Sequence, residues 1–171
     1  MKIQVGGMSE GVHQYRFQVT ASELGLGKDF PDDVNVEATL DKTGSQIFLN
    51  AGIRTVASFE CDRCVTQFEA ALSSSYKLYY VWDRAEVGRF DPSEFQVIPA
   101  GLNVIDISED VRQTILLSVP LKLLCRDGCK GLCPHCGKNS NETSCSCTDK
   151  VIDTRWEKLR SLQKNNMQDQ P

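Results

Sequence analysis

The sequence is poor in histidine and lacks three common catalytic motifs. It has two histidines, His13 and His135. It has no Gly-x-Ser-x-Gly nucleophile elbow, no phosphate-cradling glycine loop and no His-Glu-x-x-His helix. These patterns mark common hydrolases, nucleotide-binding enzymes and metalloproteases. We therefore expect a protein that is not an enzyme and that has no small-molecule substrate.

Long apolar runs are also missing. No stretch approaches the roughly 20 apolar residues that a membrane-spanning helix needs, and residues 1–19 lack the apolar centre of a signal peptide. We therefore expect a cytoplasmic protein with no membrane association. In that reducing compartment, close cysteine pairs more often bind a metal or perform redox chemistry than form disulfides.

The chain has no surplus of positive charge, since 19 basic residues face 23 acidic ones and the formal net charge is −4. This balance argues against a general binder of nucleic acid and against a sequence-specific transcription regulator. The segment from Leu121 to Lys138 differs, because Asp127 stands there against four cations: Lys122, Arg126, Lys130 and Lys138. These cations either contact phosphate groups or offset the charge of anionic metal sites.

What the chain does contain is eight cysteines. They form four close pairs: Cys61 with Cys64, Cys125 with Cys129, Cys133 with Cys136, and Cys145 with Cys147. Such short spacings seldom supply the Cα separation and torsion of a disulfide. Two pairs together complete the tetrahedral thiolate shell of a structural zinc ion, with zinc–sulfur distances of about 2.3 Å. The spacing therefore predicts one or two zinc sites.

Distance along the chain suggests which pairs share a site. The pair Cys133–Cys136 and the pair Cys145–Cys147 are close enough to form one local site, and Gly137 allows a tight turn after the first pair. The remaining four cysteines form a second site by default, which would clip the first half of the chain to the second. His135 is a spare ligand that neither site needs.

Apolar residues that alternate with polar ones predict five strands: Val12–Thr20, Val34–Leu40, Ser45–Asn50, Ile53–Glu60 and Phe68–Trp82. Cys61 and Cys64 therefore lie in a turn between two strands. A thioredoxin-like redox pair lies instead at a helix N-terminus within a βαβ unit. Metal ligation is therefore favoured for this pair, and a thiol-based redox switch that uses the cysteine pairs is the alternative function.

Two helices are predicted. The first opens at Asp106 with a reciprocal cap to Glu109, ends before Pro120 and has one apolar face made of Ile107, Val111 and Ile115. The second, Val151–Lys164, carries basic residues around an apolar face. It either packs on the sheet or contacts RNA.

These elements indicate an α+β fold, with an antiparallel β-sheet or partly open barrel, a few helices and a Cys-rich zinc-binding module. We divide the chain into a β-rich domain with one helix over residues 1–120, the zinc module with a helix packed on it over residues 121–164, and a disordered tail over residues 165–171. Residues 83–105 are predicted to form an acidic surface loop.

Several motifs occur together in the order of one known family. They are Cys61-Asp62-Arg63-Cys64 at a strand end, Val119-Pro120-Leu121, Gly131-Leu132-Cys133-Pro134-His135-Cys136-Gly137, Asn139 and Asn141, Cys145-Ser146-Cys147, and Asp153-Thr154-Arg155. On these residues the chain resembles the YceD family, the large ribosomal RNA subunit accumulation proteins, over about residues 53–162. It departs from the family pattern at Ser140, where leucine is usual, and at Thr154, where proline is usual.

The resemblance implies a cytoplasmic, non-enzymatic factor that is needed for normal accumulation of 23S ribosomal RNA. We hypothesise a zinc-stapled scaffold that binds large-subunit rRNA or a ribosomal protein during assembly of the large subunit. The acidic segment Asp91–Asp110 could hold a basic ribosomal protein, and the basic segments near Lys130 and Arg155 could contact RNA.

Overall fold

The computed structural model describes residues 1–83 and 94–147. These residues form seven strands and one helix: β1 (Lys2–Gln4), β2 (Gly11–Val19), β3 (Val34–Lys42), β4 (Gln46–Glu60), β5 (Gln67–Val81), β6 (Phe95–Val97), β7 (Val104–Asp106) and α1 (Ser108–Ser118). The predicted helix at 151–164 and the predicted tail at 165–171 lie outside the described residues. The division of the chain into domains stays a prediction.

The main sheet is open and has the strand order β2-β3-β4-β5-β6. Strands β2 to β5 pair in sequence as antiparallel neighbours, which confirms the predicted antiparallel sheet. Strand β6 then joins the edge parallel to β5. Strands β2 and β6 are not paired with each other within the described ranges, so the sheet does not close into a barrel there.

Alternation of apolar and polar residues explains why these segments form strands. In β3, Val34, Val36, Ala38 and Leu40 are at most 1% exposed, while Asn35 and Glu37 between them face solvent. In β4 every second residue from Ile47 to Phe59 is buried. Because side chains alternate across a strand, this pattern places one face of the sheet on the core and the other towards water.

Strand β4 is longer than predicted. The two strands expected at Ser45–Asn50 and Ile53–Glu60 are one strand of 15 residues, which pairs with β5 from Gln46 opposite Val81 to Glu60 opposite Gln67. At about 3.4 Å per residue, this hairpin is roughly 50 Å long. Strand β3 pairs with β4 only as far as Arg54. The hairpin therefore runs on beyond β3, and its tip (residues 61–66) carries the first cysteine pair.

Helix α1 packs against β5 and covers part of the buried face. Ile107, Val111 and Ile115 are at most 1% exposed and belong to the same core as the sheet, which confirms the predicted apolar face. The helix ends at Ser118, and Val119 is extended, as expected for a residue before a proline. No helix in the described ranges is long and apolar enough to cross a membrane.

Two predictions for the region before α1 are wrong. The helix begins at Ser108 without a side-chain cap, and Asp106 ends β7, where its carboxylate accepts a hydrogen bond from the Ser108 amide at 3.0 Å. The expected loop at residues 83–105 contains β6 and most of β7, and β7 pairs with β1. Strands of three residues are too short for alternation to reveal them. Residues 84–93 of this loop lie outside the described residues.

Replacement of Ile115 by alanine tests the contact between α1 and the sheet. Ile115 is 1% exposed, so Ile115→Ala should lower the free energy of unfolding by about 2 to 5 kcal/mol through lost burial and a cavity. Leu117 lies on the same helix and is 85% exposed, so Leu117→Ala should change it by less than about 0.5 kcal/mol. Urea denaturation measures both values, and equal losses would contradict this packing.

Candidate metal centres

Four cysteines from distant parts of the chain converge at the hairpin tip. The Sγ atoms of Cys61, Cys64, Cys125 and Cys129 all lie within 4.8 Å of one another, and we call this group centre A. Cys61 Sγ lies 3.8 Å from Cys129 Sγ, and Cys64 Sγ lies 3.6 Å from Cys125 Sγ. A disulfide would need about 2.05 Å, whereas sulfurs around a tetrahedral zinc ion are about 3.8 Å apart. Centre A therefore has the spacing of a metal site.

The other four cysteines form a second group, centre B, made of Cys133, Cys136, Cys145 and Cys147. Their Sγ atoms also lie within 4.8 Å of one another. Spacing along the chain predicts this same division of the eight cysteines into two sets of four. His135 belongs to neither group. Both groups could bind a metal ion, and binding itself stays a prediction.

The two centres differ in exposure. In centre A, Cys61, Cys64 and Cys129 are at most 5% exposed and pack with Phe68 and Leu124. In centre B, Cys133 is buried, Cys145 is half-buried, and Cys136 and Cys147 are exposed. Water and chelators therefore reach the sulfurs of centre B more readily than those of centre A.

Each centre contains the same tight turn around its Cys-x-x-Cys pair. At the hairpin tip, the Val65 amide donates to the Cys61 carbonyl at 2.9 Å, and at centre B the Gly137 amide donates to the Cys133 carbonyl at the same distance. The residue after the second cysteine has a positive φ in both turns, 59° at Val65 and 70° at Gly137. Glycine adopts this conformation freely, but a β-branched residue does so at a cost.

Hydrogen bonds hold the hairpin tip against the segment that supplies Cys125 and Cys129. The Asp62 amide donates to the Leu123 carbonyl at 2.8 Å, and the Leu123 amide donates to the Asp62 carboxylate at 2.7 Å. Arg63 donates from Nη1 to the Cys129 carbonyl at 2.7 Å. These bonds hold the two segments that carry the cysteines of centre A against each other.

The thiols within each centre have opposed tendencies to ionise. Burial works against the Cys61 thiolate, but backbone hydrogen bonds at Cys125, Arg63 and Cys64 outweigh it and lower the Cys61 pKa to about 6. Backbone hydrogen bonds from Cys136 and His135 lower the pKa of Cys133 to about 6. Burial, followed by the neighbouring thiols, raises the pKa of Cys125 to about 12.

In each group one thiol therefore stays protonated at neutral pH, partly because an ionised neighbour repels its thiolate form. Hydrogen bonding with Cys136, followed by burial, likewise raises the pKa of Cys147 to about 12. A divalent cation would remove this repulsion and allow all four sulfurs to ionise. The donor sets thus fit a divalent metal better than four neighbouring free thiols.

Sequence reasoning missed residues that support the cysteines from outside. The Asn141 side chain donates from Nδ2 to Cys129 Sγ at 3.3 Å, and Thr66 Oγ1 lies 3.3 Å from Cys64 Sγ. Asn141 was noted as part of a family pattern and not as a site residue. The spacing of Asn139 and Asn141 is typical of an Asx turn and would have been the available signal.

The fold and these centres define a class of protein: an open β-sheet whose longest hairpin is joined to a Cys-rich segment by one tetracysteine group, with a second tetracysteine group inside that segment, and both groups could bind metal ions. Comparison with known families names the class. The chain belongs to the YceD family, because the family described as "Large ribosomal RNA subunit accumulation protein YceD" matches residues 49–163. The matched region begins within β4 and includes both centres.

Two plant proteins are similar to this chain, and both are named "Large ribosomal RNA subunit accumulation protein YCED homolog 1, chloroplastic". The Arabidopsis thaliana protein is 24% identical over 98% of this chain and 61% of its own length. The Zea mays protein is 27% identical over 81% of this chain and 64% of its own length. The chain therefore spans less than two thirds of either relative.

The names of these relatives place them in the chloroplast, which differs from the cytoplasmic location predicted for this chain. That location stays a prediction. No solved structure matches the chain.

Single substitutions at Val65 and Gly137 test whether the backbone of Val65 is strained. In the left-handed region, a residue other than glycine destabilises the folded state by about 1 to 2 kcal/mol. Gly137→Ala should therefore lower the free energy of unfolding by about that amount. Val65→Gly should raise it by up to about 1 kcal/mol, since the entropy cost of glycine offsets part of the gain. Denaturation at saturating zinc measures both, and a loss of stability in Val65→Gly would contradict the interpretation.

Serine substitutions test whether each centre holds its own ion. Cys64→Ser and Cys136→Ser should each remove one of two metal ions per chain, because each breaks one four-thiolate shell. Elemental analysis after zinc loading and gel filtration gives the count. Ser146→Ala, which changes no ligand, should retain both ions. Loss of both ions from either cysteine variant, or of neither, would refute the proposed grouping.

Proposed function

We propose that this protein is a zinc-stapled, non-enzymatic factor that supports the accumulation of 23S ribosomal RNA and the assembly of the large ribosomal subunit by binding rRNA. The observation that carries the proposal is that centre A joins the β4–β5 hairpin to the basic segment Leu121–Lys138, in which centre B also has two of its cysteines. The family description supplies the connection with large-subunit rRNA accumulation.

Zinc is the metal that these donor sets suit. Four thiolates at tetrahedral spacing favour zinc over magnesium, calcium or manganese, which prefer oxygen ligands. A catalytic zinc keeps one position open for water or substrate, whereas a shell of four cysteines leaves none. Zinc in centres A and B would therefore hold the fold and perform no chemistry on a substrate.

The surface proposed to bind RNA is the basic segment Leu121–Lys138, which supplies four of the eight thiols. Lys122, Arg126, Lys130 and Lys138 are exposed, and none of them forms an ion pair with another described residue. Free cations on a backbone held by hydrogen bonds suit contact with phosphate groups. The same cations also reduce the repulsion among the thiolates, so the two interpretations of this segment are compatible.

The second partner class, a basic ribosomal protein, has weaker support. The segment Asp91–Asp110 is not one acidic loop, because 95–97 and 104–106 are strands and α1 begins at Ser108. Asp106 is also engaged with Ser108. Its residues 91–93 lie outside the described residues. RNA is therefore the partner proposed, and a ribosomal protein is the alternative outcome of a binding experiment.

A thiol-based redox switch is the other candidate function. It is favoured by the pKa values of about 6 at Cys61 and Cys133, at which these thiols would be largely ionised at neutral pH without a metal. It is opposed by their burial, which limits the access of an oxidant. Counting zinc by elemental analysis and titrating free thiols in the same sample separates the two functions. Two zinc ions per chain, with thiols that become accessible only after chelation, would rule out a metal-free switch.

Charge reversal at Lys130 tests the proposed RNA surface. Lys130→Glu should weaken binding to large-subunit rRNA and reduce the dependence of log affinity on log salt by about one contact, because a lysine at a phosphate releases counterions. Lys77→Glu makes the same change of charge on β5, ten residues after Gln67, where β5 leaves the hairpin tip. It should leave the rRNA affinity and its salt dependence nearly unchanged. Filter binding at several salt concentrations measures them.

The proposal fails if the parent protein recovers no rRNA or pre-ribosomal particle at low salt, or if both charge variants behave alike. Recovery of a ribosomal protein without rRNA would favour the second partner class.

A further inference from the structure

We propose that Asn141 couples the two centres, so that a metal ion at centre B strengthens metal binding at centre A. The inference rests on the metal binding in the proposed function and extends it from two separate sites to one linked pair. Asn141 lies between Cys136 and Cys145, two ligands of centre B, and its side chain reaches a ligand of centre A.

The Asn141 side chain is held in one orientation by bonds at both ends. Its Oδ1 accepts a hydrogen bond from the Lys130 amide at 2.9 Å. Its Nδ2 donates to Asn139 Oδ1 at 2.8 Å and to Cys129 Sγ at 3.3 Å. Asn139 also accepts from the Asn141 amide at 3.0 Å, which closes the local turn. The donor therefore points at the sulfur without a further change of rotamer.

The loop that carries Asn141 has little regular structure to hold it. Leu132 and Asn139 form an isolated bridge, and the Lys138 carbonyl accepts a hydrogen bond from the Cys133 amide at 2.8 Å. Within the loop, the Asn139 carbonyl accepts from the amides of Glu142 and Thr143 at 3.2 and 3.1 Å. The loop also bonds to the adjacent segment, where the Ser140 amide donates to the Gly131 carbonyl at 2.9 Å. The two ends of the loop are fixed by the cysteines of centre B. An ion bound there would fix both ends of the loop and lower the entropy cost of placing Asn141 that these hydrogen bonds leave.

At centre A the hydrogen bond stabilises a ligand in its charged form. Cys129 is 2% exposed, so water cannot readily replace the Asn141 donor. Donors to metal-bound ligands orient them, and their loss commonly lowers metal affinity by about 10- to 100-fold. Because coupling between two binding sites is reciprocal, filling centre A should strengthen centre B by the same factor.

A second set of contacts, made with Arg63, fixes the position of the two centres relative to each other. A Cβ atom at Gly131 would lie 3.0 Å from the Arg63 carbonyl oxygen, and Gly131 has a φ of 76°. The Leu132 amide donates to that same carbonyl at 3.0 Å. Cys129 and Cys133 thus belong to a short segment that packs against the hairpin tip. A displacement of one centre therefore moves the backbone that carries the other.

Zinc competition on the full chain tests the coupling. Cys147→Ser disables centre B at an exposed ligand that does not contact centre A. The affinity of centre A, measured with a chromophoric zinc chelator, should then fall by about 10- to 100-fold. Asn141→Leu should weaken centre A to a similar extent while two zinc ions per chain are still retained at saturation.

The double variant supplies the decisive comparison. If Asn141 transmits the effect, Cys147→Ser in the Asn141→Leu background should weaken centre A by less than about twofold more, because the two substitutions remove one interaction. Thr143→Ala is the control: the residue lies in the same loop, and its side chain makes no hydrogen bond with the described residues. This variant should bind zinc like the parent.

Several outcomes would overturn the inference. Unchanged affinity of centre A in Asn141→Leu, or effects of the two substitutions that multiply in the double variant, would show that the centres act independently even though both bind zinc. A parent protein that binds no zinc would overturn the metal binding of the proposed function as well. The retained zinc of Asn141→Leu distinguishes lost coupling from an unfolded centre B.

Discussion

A pair of hydrogen bonds between Asp62 and Leu123 joins the hairpin tip to the segment that follows α1, and centre A depends on this junction. The Asp62 amide and carboxylate bond the Leu123 carbonyl and amide, so two chain segments 61 residues apart meet with defined geometry. Arg63 adds a bond to the Cys129 carbonyl. These contacts bring together the two segments that carry the four thiols of centre A, and a metal ion would reinforce an arrangement that the fold already favours.

The length of the β4–β5 hairpin explains why the junction lies where it does. Strand β3 pairs with β4 only to Arg54, so the last six residues of β4 have β5 as their neighbour and extend past the main sheet. A two-stranded hairpin is marginal in isolation. Packing of Phe30 on Phe59 and the bonds at the tip support this extension. The sheet and the Cys-rich segment therefore stabilise each other.

Much of this arrangement was predictable from the sequence, because it depends on local patterns. Alternation located β2 to β5, and the apolar spacing of α1 identified its buried face. The grouping of cysteines followed from chain distance, since a site spanning residues 133–147 closes a short loop. The turn after Cys136 was also readable, because glycine at 137 suits a positive φ.

The remainder depends on tertiary contacts that no local pattern records. Asn50-Ala51-Gly52 suggests a break between strands, yet pairing on both sides carries β4 through it. Val65 has the conformation usual for glycine because the surrounding bonds of the tip impose it. Asp106 was expected to cap α1, but its place at the end of β7 turns its carboxylate to Ser108. Asn141 acquires its role from the proximity of Cys129, which lies twelve residues away in sequence.

The separation of Cys64 from Cys125 along the chain also has a consequence for biosynthesis. The cysteines of centre B leave the ribosome almost together, whereas Cys64 emerges 61 residues before Cys125. At a synthesis rate of about 5 to 20 residues per second, roughly 3 to 12 s pass between the emergence of Cys64 and that of Cys125. During this time Cys61 and Cys64 at the hairpin tip have no partner thiols. During this interval a chaperone, a thiol reductant or a metal ion can bind or react with these two thiols before Cys125 and Cys129 have been synthesised.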